Sequence, residues 1–124
     1  MSQNALTVIE LNHIALYVRD LGVSTTFYSE VLGFPSLPRP AFDFAGAWFA
    51  LGSQQLHLIE DTQNQDNERH SLHIAFLVQD AAAAAQTLKQ RGVTLQRGPI
   101  LRPDGAAQVF FHDPDGYLLE FTSL

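Results

Sequence analysis

The chain contains an internal repeat, and this repeat limits its fold more than any other feature. Residues 11–20 are LNHIALYVRD and residues 71–80 are SLHIAFLVQD, with five of ten positions identical at an offset of 60. Self-similarity of this kind indicates two copies of one supersecondary unit, and each copy alone cannot bury all of its apolar surface. We therefore expect a duplicated fold whose two halves share one core.

Each copy predicts a strand that runs into a helix. In the second copy, Asp80 suits the N-cap, AAAAAQTLKQR is strongly helical, and Gly92 suits the C-terminal stop. In the first copy, VSTTFYSEVL supplies the helix, with Asp20 or Ser24 as its cap and Gly33 as its stop. The repeat therefore extends from the strand into the helix that follows.

Several β-rich segments follow each helix. They are AWFALG and QQLHLIE in the first half, and GVTLQ, AQVFFH and GYLLEFT in the second; the polar stretch EDTQNQDNER separates the halves. The sequence therefore predicts an α+β fold in one domain, residues 1–124, made of two βαβββ modules at 8–62 and 70–124.

Composition narrows the classes of partner and the location. A net charge of −6 argues against nucleic acid and anionic membranes, because both recruit clustered Lys and Arg. The absence of cysteine excludes thiol catalysis and zinc–thiolate sites. The first residues, MSQNALTVIEL, lack the features of a signal peptide, and no apolar run has the length of a membrane span. We expect a cytoplasmic protein.

Period-two alternation places one metal-capable side chain on the same face of each of four strands. His13 and His73 occupy matching repeat positions, and His57 and Glu120 match at a spacing of 63. If the modules meet around a pseudo-twofold axis, all four side chains converge in one cleft. Imidazole and carboxylate suit Zn²⁺, Ni²⁺, Mn²⁺, Co²⁺ or Fe²⁺, and ligand type alone does not choose among them. A divalent ion would also stabilise Glu120 in its otherwise apolar strand.

Four segments, LNHIALYVRDL, FYSEVLGF, SLHIAFLVQD and FFHDPDGYLLEF, resemble the vicinal oxygen chelate superfamily. This superfamily includes glyoxalase I, extradiol dioxygenases, and fosfomycin- and bleomycin-resistance proteins. The resemblance implies sheets that curl around a metal cleft, often completed in a homodimer. It puts His13, His73 and Glu120 on three metal-ligand positions, and His57 on the fourth, where bacterial glyoxalase I typically has a glutamate.

The resemblance also implies a function. We expect an enzyme of the lyase or isomerase type, acting on a small substrate whose oxygens chelate the metal, with Glu120 as ligand and catalytic base. An extradiol-type, ring-cleaving dioxygenase and a non-catalytic drug- or metabolite-binding protein are the alternatives. Because His57 replaces a carboxylate, a bound divalent ion would keep one net positive charge, and we expect its bound water to ionise more readily.

Three further side chains are candidates for substrate binding. Phe42 and Trp48 are available as a pocket wall, or as ordinary aromatic core. Arg102 could hold a substrate carboxylate bidentately, or could be solvated surface. Residues 97–106, RGPILRPDGA, are expected to form a loop, and DPDG at 113–116 is expected to be a turn. His70 and His112 are expected to be solvated.

Overall fold

Two four-stranded sheets form the protein, and the computed structural model describes residues 9–63 and 73–124. The first module contains β1 (His13–Val18), α1 (Leu21–Thr26), β2 (Ser36–Leu37), β3 (Gly46–Leu51) and β4 (Gln54–Glu60). The second contains β5 (Ile74–Leu77), α2 (Ala81–Gln90), β6 (Leu95–Leu101), β7 (Ala107–His112) and β8 (Leu118–Ser123). The predicted α+β fold of two βαβββ modules is confirmed. His70 and the predicted start of the second module lie outside the described residues, so the module limits stay predictions.

The two sheets have the same strand order, β1-β4-β3-β2 and β5-β8-β7-β6. In each sheet the first strand pairs in parallel with the last, and the remaining pairs are antiparallel. His57 on β4 lies between Ala15 and Trp48 in the register. Glu120 on β8 lies between Ala75 and Phe110 in the same way. The repeat thus gives His57 and Glu120 equivalent positions.

Both helices begin at the predicted aspartates. The Asp20 side chain accepts a hydrogen bond from the Val23 amide at 3.0 Å, and Asp80 accepts one from Ala83 at 3.0 Å. Helix α1 begins at Leu21 and continues as a wider π-helical turn over Phe27–Val31, a change of pitch that the sequence pattern does not reveal. No helix in the described parts of the chain is long and apolar enough to cross a membrane.

The inner faces of the sheets and the helices build one continuous core. On β1, Leu16 and Val18 are 5% and 0% exposed, whereas Tyr17 between them is 51% exposed, as the alternation predicts. The modules share this core, since Phe34 of the first packs edge-on against Phe76 of the second with ring centroids 5.3 Å apart. The opposite, outer faces of the sheets carry the metal-capable side chains.

Two strands differ from the sequence predictions. Strand β6 covers Leu95–Leu101, so the prediction of a loop over residues 97–106 is wrong for its first part. Gly98 has φ +95° and Pro99 has no N–H, and the register with β7 shifts on both sides of them. An edge strand tolerates both residues, because one of its sides has no neighbouring strand to which its backbone must hydrogen-bond. The short β2 lies within the Pro-rich segment at residues 35–48, PSLPRPAFDFAGAW, whose composition predicts a loop.

The turn at 113–116 joins the two modules as well as reversing the chain. The buried Asp115 carboxylate accepts hydrogen bonds from the Arg19 amide and Nε, both at 2.9 Å, and from Ser24 Oγ at 3.0 Å. The buried Asp113 carboxylate accepts one from Tyr28 OH at 2.7 Å. Burial raises the pKa of Asp113, and the hydrogen bond from Tyr28 opposes that rise. The sequence predicts the turn but not this connection.

Candidate metal centre

The first half-site consists of His13 on β1 and His57 on β4. Their side chains lie on the outer face of the first sheet, with ring centroids 4.2 Å apart and an interplanar angle of 18°. Trp48 on β3 stacks on the other side of His57, at 4.0 Å and 3°. The three rings thus form a row across three neighbouring strands, and His57 is held in the middle of it.

Hydrogen bonds fix which nitrogens of the first half-site carry lone pairs. His13 Nδ1 lies 2.8 Å from Asn12 Oδ1, and His57 Nε2 lies 2.7 Å from Gln55 Oε1. An amide oxygen only accepts, so each of these ring nitrogens is the donor, and in the neutral form of each ring the lone pair lies on His13 Nε2 and on His57 Nδ1. Burial, followed by the charges of His13 and Arg39, lowers the pKa of His57. His57 is therefore neutral near pH 7, the form that binds a metal or accepts a proton.

The second half-site consists of His73, just before β5, and Glu120 on β8. Glu120 is only 3% exposed, and its Oε1 lies 3.1 Å from His73 Nε2. Its other oxygen, Oε2, accepts a hydrogen bond from Gln108 Nε2 at 2.8 Å. The Phe110 ring lies edge-on to His73, with centroids 5.8 Å apart. The carboxylate is thus oriented by two partners and aimed at an imidazole.

A single chain keeps the two half-sites apart. Among residues 9–63 and 73–124, no three His, Asp or Glu side chains lie close enough together to hold one metal ion. The expected convergence of all four residues in one cleft therefore does not occur within one chain. Their assignment as ligands stays a prediction.

The predicted substrate-binding residues lie in two places. Phe42 lies beside Trp48, with ring centroids 6.1 Å apart, next to the first half-site. Arg102, by contrast, pairs with Asp104 in the turn between β6 and β7, with both Nε and Nη2 engaged by the carboxylate. This pairing lowers the pKa of Asp104 to about 2. His112, at the end of β7, lines a separate cavity of about 530 Å³ that also contains Phe27 and Arg91.

Three polar residues of the site have no signal in a single sequence. Gln55 lies two positions before His57 on β4, on the same face of the sheet, and contacts its ring. Gln108 lies on β7, the neighbour of β8, and contacts Glu120. Their alternation shows the face, but glutamine is ordinary on any exposed strand. Arg39 lies in the Pro-rich segment, where no periodicity predicts its direction.

Two βαβββ modules with histidine and carboxylate donors at matching repeat positions define a glyoxalase-like protein. The profile of the Glyoxalase/Bleomycin resistance protein/Dioxygenase superfamily matches residues 10–121, and the chain belongs to that superfamily. A lactoylglutathione lyase from Neisseria meningitidis is 36% identical over 124 residues, covering 91% of this chain and 89% of that protein. Glyoxylase I 4 from Arabidopsis thaliana is 31% identical over 130 residues, covering 97% and 74%. A glyoxalase family protein from Bacillus anthracis has the same fold, with a TM-score of 0.83, 25% identity and 98% of both chains covered.

Proposed function

We propose that this protein is a divalent-metal-dependent lyase or isomerase that acts on a small substrate with chelating oxygens. His13, His73 and Glu120 would hold the metal, and His57 would be the fourth ligand. The observation that carries the proposal is the buried Glu120 carboxylate, which faces His73 at the repeat position equivalent to His57 beside His13. The similarity to a lactoylglutathione lyase supports the reaction class.

The donors fit a divalent ion. His13 donates through Nδ1 and keeps Nε2 for a ligand, the arrangement that metal-binding histidines usually show. A carboxylate buried as deeply as Glu120 is costly to keep ionised, and a bound cation offsets that cost. Thr122 Oγ1, on the same strand face, is buried without a hydrogen-bond partner among the described residues. Thr122 Oγ1 is therefore available to hydrogen-bond a further group bound at this face.

We propose that two chains complete each centre, the first half-site from one and the second from its partner in a homodimer. The outer faces of β1 and β5 support this, since both are edge strands and both expose the same repeat positions. Tyr17 is 51% exposed and Leu77 is 70% exposed at those positions. An exposed aromatic and an exposed leucine beside the donors are suited to burial against a second copy.

The side chains have separable tasks in this scheme. A bound divalent ion supplies Lewis-acid polarisation of a substrate oxygen. Glu120 presents Oε1 to the centre because Gln108 holds Oε2, so Oε1 is the atom that ligates or takes a proton. His57 is neutral and stacked on Trp48, and the lone pair of its Nδ1 is available to a metal or a proton. To ligate through Nε2 it must first release Gln55.

One observation favours a second candidate, the ring-cleaving dioxygenase. Because Gln55 occupies Nε2 of His57, His13, His73 and Glu120 can act as a three-donor set without it. Two histidines and one carboxylate with open positions are the donor set of many Fe²⁺ oxygenases. Metal analysis of protein purified without added metal separates the candidates. Zinc or nickel supports the lyase or isomerase, iron supports the dioxygenase, and metal-free protein that binds no added ion leaves only a binding protein.

Subunit mixing tests the shared centre. We expect His13→Ala and Glu120→Ala each to lose tight zinc binding, and a refolded equimolar mixture to regain about a quarter of the wild-type zinc, since half of the dimers are mixed and each mixed dimer has one intact centre. His13→Ala mixed with His57→Ala is the matched control and should regain none, because both defects fall in the same half-site. Absence of recovery in the first mixture would contradict the shared centre. Turnover is then screened on 2-oxoaldehyde–thiol adducts, catechols and fosfomycin.

A further inference from the structure

Three aromatic rings and one cation border the first half-site. We call Phe42, Phe44 and Trp48, together with Arg39, the aromatic rim. Phe42 and Phe44 stack with centroids 5.1 Å apart, and Phe42 lies 6.1 Å from Trp48, which in turn stacks on His57. Phe42 and Phe44 are 45% and 44% exposed. The rim is therefore an apolar, partly open surface that continues directly from a proposed metal ligand.

The Arg39 guanidinium is fixed in place but largely unused. Its Cζ lies 4.8 Å from the centre of the Phe42 ring and 4.9 Å from that of Phe44, and Nη2 donates to the Phe44 carbonyl at 2.8 Å. Gly46 packs against it, because a Cβ there would lie 3.0 Å from Nε and Nη2, although the tightest contact would be with the Leu58 carbonyl oxygen. A guanidinium has five N–H donors, so most remain for a ligand.

No carboxylate neutralises Arg39 within residues 9–63 and 73–124. Arg19 and Arg102, in contrast, are paired with Asp115 and Asp104. The Arg39 charge also reaches the centre, since it contributes to the lowered pKa of His57. A rigid, weakly hydrated cation on aromatic rings, with free donors in a planar fork, matches a carboxylate bidentately.

We propose that the aromatic rim binds the anionic, apolar end of the substrate, and that the substrate is a small aryl carboxylate whose carboxylate pairs with Arg39 while its ring lies against Phe42 and Trp48. This inference rests on the proposed function for the position of the reacting oxygens. It assigns to Arg39 the carboxylate-binding role that the sequence predicts for Arg102.

Trp48 is the only tryptophan of the chain, so its fluorescence reports binding at the rim. The probe is phenylacetate, titrated into metal-free protein so that no metal can hold its carboxylate. We expect a saturable change for phenylacetate, and none at the same concentrations for phenylacetamide or acetate. Arg39→Gln should raise the dissociation constant about tenfold or more, since hydrogen bonds to charged groups are the stronger ones. Arg102→Gln, the matched control, should leave it unchanged.

A second measurement on the wild-type protein avoids the risk that Arg39→Gln disturbs the conformation of the segment that carries Arg39. In wild-type protein, phenylacetate should protect Arg39 from modification by 2,3-butanedione, mapped by mass spectrometry, and should not protect Arg102. Equal binding of phenylacetate and phenylacetamide, or protection of Arg102 in place of Arg39, would overturn the proposal. Failure of the proposed function is recognised separately. In that case zinc does not bind, while metal-free protein still binds phenylacetate through Arg39.

Discussion

The side-chain amide of Gln108 donates to Glu120 Oε2 at 2.8 Å, and so leaves Oε1 as the oxygen that faces His73. Partners of this kind orient a ligating carboxylate and keep it from rotating. We expect Gln108→Leu to weaken zinc affinity by about tenfold to a hundredfold. Competition with a zinc-binding dye measures the affinity without reference to turnover. Unchanged affinity would contradict a positioning role for Gln108.

Gln55 should have the opposite effect, although it resembles Gln108. Its Oε1 occupies His57 Nε2 at 2.7 Å, so it competes with a metal for that imidazole. We expect Gln55→Leu to keep or strengthen zinc affinity if His57 ligates through Nε2. The two variants form a matched pair, because each removes a glutamine side chain that is hydrogen-bonded to a proposed metal ligand. A loss of affinity in Gln55→Leu as large as in Gln108→Leu would show that Gln55 supports the centre.

Trp48 should detect metal binding directly, because its ring is parallel to that of His57 at 4.0 Å. We expect Co²⁺ to quench its fluorescence with a saturation point of one ion per chain. His57→Ala should reduce the quenching, since it removes the ring between Trp48 and the other donors. His112→Ala is the control, because His112 lines a different cavity and should not alter the titration. Quenching that persists unchanged in His57→Ala would place the ion away from the first half-site.

The Tyr28 phenol should limit stability at high pH. Burial, and then the Asp113 carboxylate, raise its pKa well above the ordinary value of 10.0. The unfolded chain therefore releases this proton at a lower pH than the folded protein. The stabilisation is complete below about pH 10 and is lost as the pH rises from there toward the folded-state pKa.

Urea unfolding at pH 8 and pH 11 measures this effect. Tyr28→Phe should lose about 1 kcal/mol at pH 8, since the hydrogen bond to Asp113 is removed, and should show a smaller further loss at pH 11 than the wild type. An absorbance titration of the folded protein, compared with that of Tyr28→Phe, should show that the Tyr28 phenol ionises only well above its ordinary pKa of 10.0. Ionisation of Tyr28 at its ordinary pKa would contradict the buried phenol.

Asp115 should contribute more to stability than a turn residue ordinarily does. Its carboxylate accepts three hydrogen bonds from the first module, two of them from Arg19. We expect Asp115→Ala to lower the free energy of unfolding by about 3 kcal/mol, because Ser24 and the Arg19 amide lose their acceptor. The midpoint of thermal unfolding should fall by roughly 10 °C. Asp104→Ala, which removes an exposed ion pair, is the control and should change stability far less, because water and salt screen that pair.

The strand faces could be predicted because alternation is a local property. Leu16, Tyr17 and Val18 have the burial that their spacing indicates, and the repeat transfers this arrangement to the second module. The continuation of strand β6 beyond Gln96 could not be predicted, because Gly98 and Pro99 indicate a turn unless the strand is known to lie at an edge. The position of an edge depends on the order of strands, which no single segment encodes.

The strand faces of the four metal-capable side chains could be predicted, but the grouping of these side chains into two pairs could not. His13 with His57, and His73 with Glu120, follow from the pairing of β1 with β4 and of β5 with β8. Whether the two sheets then turn these faces toward each other depends on how the modules pack. Arg39 and Arg102 show the same limit, since the presence or absence of an acidic partner is a tertiary fact.

The division of the donors between two sheets would link metal occupancy to protein abundance. In the proposed homodimer an ion binds the paired chains more tightly than separate ones, so metal and association stabilise each other by mass action. Chains made in small amounts would then remain separate and capture little metal, whereas the same chains made in excess would compete for it. The expression level of the gene would thus set the fraction of working centres as well as their number.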